Sequence, residues 1–168
     1  MMRLRQRGVS TVGAAATVAA VGLLAFAGYV LVMPAYHDGQ VQTQVAEVFV
    51  SVDACRADVA RVVQTTTAKE LSTALFGCDG GASSGAKISK HLKSIAVGPT
   101  GAITVMLDFR TLAELTPTTS TLTAIPLSGP NTPLGTADVQ KPLAGWRCGS
   151  PQDGTTVPAK YLPSGCRG

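Results

Sequence analysis

Between Val9 and Met33 the sequence carries no charged side chain, and no acidic one occurs before Asp38. Aromatic residues make up only 5% of the chain, too few for a platform on which nucleic-acid bases could stack. Cys-x-x-Cys is absent, and His37 and His91 are the only possible nitrogen ligands, so a zinc site is not expected. Neither histidine belongs to a His-Glu-x-x-His motif. Gly80-Gly81 lacks the spacing and the Lys-Ser/Thr of a phosphate loop. No nucleophile with a base and no paired carboxylates stand out, so neither catalysis nor a cofactor is expected.

The uncharged run itself is the most informative stretch. As a helix rising about 1.5 Å per residue, Val9–Met33 is long enough to cross a hydrocarbon core of roughly 30 Å. It is rich in small residues, among them Gly13, Ala16, Ala20 and Ala27. Lipid gives helices no hydrophobic reason to associate, so close packing in a membrane relies on small residues at the contact. The composition therefore suits a helix that packs against copies of itself. Arg3, Arg5 and Arg7 precede it and place the N-terminus in the cytoplasm, with the rest of the chain outside.

The net charge of +4 misleads. Without those three arginines the basic and acidic residues nearly balance, so there is no electrostatic case for nucleic acid or a membrane surface as partner. Lys87, Lys90 and Lys93 fall in one short run, which reads as a solvated strand edge; DNA binding has no further support. All four cysteines, Cys55, Cys78, Cys148 and Cys166, follow the apolar run and so lie in an oxidising compartment. An even count there implies two disulfides, with three pairings open.

Past the helix about 130 residues remain, enough for one domain. Pro34 removes a donor and clashes with the preceding turn, so a kink is expected there. Beyond it Val41, Val45, Val48, Val52, Cys55, Val59 and Val62 recur at steps of four and three, one face of a helix continuing to about Gln64. A Thr-, Ser- and Gly-rich connection over residues 65–86 follows, with a short helical turn at Ala68–Leu75. Ile88–Val97, the turn Gly98-Pro99-Thr100-Gly101 and Ala102–Phe109 predict an antiparallel hairpin, with His91 inside its first strand. Thr119–Leu127 is a third strand that Pro126 confines to an edge or to its own end. Leu143–Cys148 is a fourth, and the tail from Gly149 has little periodicity. The fold class is thus α+β: a long N-terminal α-helix on a roughly four-stranded antiparallel sheet.

The cleavage pattern at the N-terminus has two readings. A secretory signal would be cut after the apolar core, near Ala25–Gly28; a cut at Gly8 would keep the helix. The order of the pieces resembles a type IV pilin. The likeness rests on Pro34-Ala35-Tyr36-His37-Asp38 at the end of the apolar helix and on the hairpin sequence from Ile88 to Leu107. It rests most specifically on Trp146-Arg147-Cys148 with the run from Pro158 to Arg167. The resemblance implies a basic leader 1–8, a membrane and filament-core helix 9–36, its amphipathic continuation 37–64 and a head 65–168. It implies cleavage after Gly8 by a prepilin peptidase and methylation of Val9. Cys148 would pair with Cys166, which leaves Cys55 with Cys78. The partners would be copies of the chain in a helical filament, the pilus assembly machinery and, before assembly, the inner membrane. The filament would then stand on the cell surface and serve adhesion, twitching motility or DNA uptake. At the fifth mature position, where the family usually carries an acidic residue, this chain has Gly13. A secretion pseudopilin, a minor pilin and an anchored periplasmic binding domain that does not polymerise are the competing readings.

Overall fold

The computed structural model describes residues 11–78, 89–112 and 114–168, with the backbone alone at helix residues 11–28 and 30–35. Helix α1 spans Thr11–Thr65. The chain divides into two compact units, Met1–Asp38 and Gly39–Gly168. In the first, the backbone is helical through Pro34, whose side chain, where a kink was expected, lies outside the described residues. Tyr29 and Tyr36 are exposed, and the Tyr36 ring meets His37 edge to face at 6.2 Å. Among the described residues no helix is long and apolar enough to cross a membrane. The side chains of the apolar run Val9–Met33, Tyr29 apart, fall outside that description.

In the second unit α1 packs one face on an antiparallel sheet. Its buried residues are Val41, Val45, Val48, Phe49, Val52, Cys55, Val59 and Val63. The expected stripe ended at Val62, which is only half-buried. Steps of four and three average 3.5 residues, whereas the helix turns every 3.6, so the buried line drifts and reaches Val63. The end of α1 is closed by Gln140, whose backbone N–H donates to the Val63 carbonyl at 2.8 Å and whose side chain donates to the Thr66 carbonyl at 3.1 Å. That satisfies backbone acceptors which a helix end leaves bare.

The strands are β1 (Leu92–Val97), β2 (Ile103–Leu107), β3 (Thr121–Gly129), β4 (Thr132–Pro133) and β5 (Gly145–Cys148). β1 pairs with β2, β2 with β3, and β3 with both β4 and β5, all antiparallel. β2 alternates as expected, with Ile103, Val105 and Leu107 buried and Thr104 and Met106 exposed. β1 breaks the alternation because a bulge between Leu92 and Ser94 exposes Lys93 and Ser94 together.

Two expectations are corrected. The first strand starts at Leu92, not Ile88; Ser89 holds a turn there by accepting the His91 N–H on its side chain and the Leu92 N–H on its carbonyl. His91 is therefore in a turn. Pro126 lies inside β3, the central strand, instead of at an edge or an end. Its carbonyl accepts from Leu134 N–H at 2.9 Å, and its missing donor falls on that same side, between the last β2 pair at Ala124 and the first β4 pair at Leu127. A strand that changes partners there loses no ladder bond to proline. The tail after Gly149 is built of three 3-10 turns, Pro151–Asp153, Ala159–Tyr161 and Ser164–Cys166.

Candidate functional site

The site is the C-terminal loop, residues 148–168, and the part of α1 it touches. β5 ends at Cys148, which is bonded to Cys166 with the Cα atoms 4.8 Å apart. Gly149 turns the chain with φ +82°, and a Cβ there would lie 1.9 Å from the Cys166 carbonyl oxygen, so only glycine fits. The Gly168 N–H donates back to the Cys148 carbonyl at 3.0 Å. On the loop-entropy model, closing this loop stabilises the fold by about 3 kcal/mol.

Inside the loop, the Arg147 guanidinium makes two bonds of 2.7 Å to the Asp153 carboxylate, and these hydrogen bonds raise its pKa further. The pair pins the first 3-10 turn to β5. Two threonines then dock the chain on β3. Thr155 and Thr156 hydroxyl oxygens accept the N–H groups of Thr123 and Thr121 at 3.1 and 3.0 Å. The Thr121 carbonyl accepts from the Thr156 and Val157 N–H groups. Side-chain oxygens thus stand in for strand carbonyls where β5 has ended.

The loop also meets the helix. Gln42 donates to the Lys160 carbonyl at 2.7 Å. Arg167 donates to the Leu162 carbonyl at 2.9 Å. Gln42, Thr43 and Ala46 of α1 and Tyr161, Leu162 and Arg167 of the loop line an open groove of about 330 Å³. Nearly three turns further along, Arg56 lies over the Trp146 ring at 5.5 Å, bonds Asp53 at 3.1 Å and reaches Cys166 Sγ at 3.9 Å. One cation therefore joins helix, strand and disulfide.

Cys55 is bonded to Cys78 with the Cα atoms 5.5 Å apart. Asp58 supports that tie: one carboxylate oxygen accepts the Gly77 N–H at 3.2 Å and the other pairs with Arg61. Gly8, Val9 and Lys87 lie outside the described residues, while Lys90 and Lys93 are exposed. His37 and His91 are on separate elements. Among the described residues no three His, Cys, Asp or Glu side chains group as metal ligands would. The arrangement anchors a loop. Arg56, Asp58 and the two loop threonines are missing from the sequence reading, because a polar residue's partner across the fold leaves no periodic trace.

Comparison with known proteins gives two findings. A family model described as Pilin (bacterial filament) matches residues 41–167. The crystal structure of a Pseudomonas aeruginosa (strain Pa110594) type IV pilin superposes with a TM-score of 0.56 at 20% identity, covering 76% of this chain and 97% of that one. Among curated proteins no sequence matches.

Proposed function

The chain belongs to the pilin family of bacterial filament proteins, and on that premise we propose that it is a structural subunit of a type IV pilus, polymerising through its N-terminal helix. The fold, a long helix on an antiparallel sheet, is that of a type IV pilin. The observation that carries the proposal is the join within one helix. From Val41 to Val63 α1 buries one face under its own sheet, while from Thr11 to Met33 its sequence is apolar on every side. A helix apolar all round needs cover from outside its own domain. Lipid supplies it before assembly, and copies of the same helix supply it in the filament.

On this reading the prepilin peptidase cuts after Gly8, Val9 becomes the methylated terminus, and the head faces outward on a fibre used for adhesion, twitching motility or DNA uptake. N-terminal sequencing and intact mass of sheared surface material test it. A methylated Val9 terminus in abundant fibres is the expected result. An uncut terminus, or one well past Val9, overturns it in favour of an anchored or secreted domain. Gly13 favours a second reading, a minor subunit among copies of another pilin. A buried acidic residue near the terminus is a costly group that fixes register when paired, and this chain does without one. A Val9 terminus at trace level in the fibres would select that reading.

A further inference from the structure

His91 is 2% exposed, and its Nε2 is buried with no hydrogen-bond partner among the described residues. Its Nδ1 lies 2.8 Å from the Thr111 hydroxyl. That hydroxyl in turn donates to the Asp108 carbonyl at 2.9 Å. A hydroxyl has one proton to give, so it must accept from His91, and the ring proton sits on Nδ1. The other tautomer would bury an N–H without an acceptor, which is costlier than a bare lone pair. The backbone repeats the link, since the Asp108 N–H donates to the His91 carbonyl at 2.8 Å. His91 thus joins the turn that starts β1 to the turn that follows β2, with its neutral ring leaving only a bare lone pair buried at Nε2.

The charged groups acting on the ring come from three elements. Burial and the neighbouring Lys90 lower the His91 pKa from its usual value, against weaker upward pulls from Glu47 on α1 and Asp108 in the facing turn. We propose that His91 is an acid-sensitive latch: a proton added at Nε2 creates a buried cation and an unsatisfied donor, and the Ser89–Leu92 and Asp108–Thr111 turns open while β3 stays folded. The sign follows from linkage. The opened form takes up a proton near the ordinary pH of about 6.5 and the closed form resists it, so the latch is complete above that pH and lost as pH falls.

The test uses the full chain in detergent micelles. Nitrogen-15 spectra of histidine-labelled protein, with the second signal assigned by His37→Gln, should show His91 protonated on Nδ1 at pH 7.5. Hydrogen exchange, corrected for intrinsic rates, should show opening at His91–Leu92 and Asp108–Thr111 rising by up to tenfold per pH unit below about 6.5, with β3 unchanged. His91→Asn keeps a donor for Thr111 but cannot titrate, and should remove that slope. Glu47→Gln should extend the loss to lower pH. A proton on Nε2 at pH 7.5, opening that does not depend on pH, or a slope that survives in His91→Asn would each overturn the proposal.

Discussion

The two halves of helix α1 differ in how far their apolar residues reach around it. In the half from Val41 to Val63, Val52 is fully buried and Val50, two residues away, is 72% exposed. In the half from Thr11 to Met33 no position is polar enough to mark an outer face. A one-sided pattern says that the cover is part of the same chain, and here it is the sheet. An all-round pattern says that the cover is something else. On the proposed function, one helix records both the folding of the subunit and its association.

Substitutions can break this contrast. The largest effect is expected from placing a charge on the inner face: Val52→Asp buries an unpaired carboxylate and should destabilise the head by at least about 3 kcal/mol in thermal melts. The matching change in the other half, Leu24→Asp, should leave the head's melting unchanged and instead remove the chain from sheared fibres. A charge at the centre of a membrane helix costs about 2.5–3.5 kcal/mol on insertion. Next comes Cys55→Ala with Cys78→Ala, which frees the loop tied to the amphipathic half and should cost about 2–4 kcal/mol by denaturant titration. Gly101→Ala should cost about 1–3 kcal/mol, since φ is +78° and the new Cβ would lie 2.8 Å from Val59 Cγ1, pushing the hairpin turn off the helix. Val50→Lys should change head stability by less than about 0.5 kcal/mol, sharpening the contrast with Val52. A large loss there would mean that the outer face is also covered within the subunit.

Periodicity explains what was legible in the sequence. The amphipathic face and the alternation of β2 depend on local spacing, and both could be placed to within a residue or two. The slip from Val62 to Val63 arises because a 3.5-residue spacing on a 3.6-residue helix must drift. Other features depend on partners distant in the chain. Pro126 reads as an edge residue until β3 is seen to exchange β2 for β4 beside it. His91 reads as a strand residue until Ser89 is seen holding a turn under it. Arg56 reads as a surface arginine on a helix until Trp146 and Cys166 are brought beneath it. The C-terminal loop was recognisable by its resemblance to other pilins, whereas the threonine oxygens that dock it to β3 follow no spacing.

The central claim is that the all-round apolar half of α1 is covered by copies of itself in a filament. Cryo-electron microscopy of sheared fibres from cells expressing the chain tests this most directly. The account predicts a helical filament whose axis is packed with Val9–Met33 helices and whose surface is formed by the heads. A filament lacking this chain, with the chain remaining as a membrane-bound monomer, would contradict it.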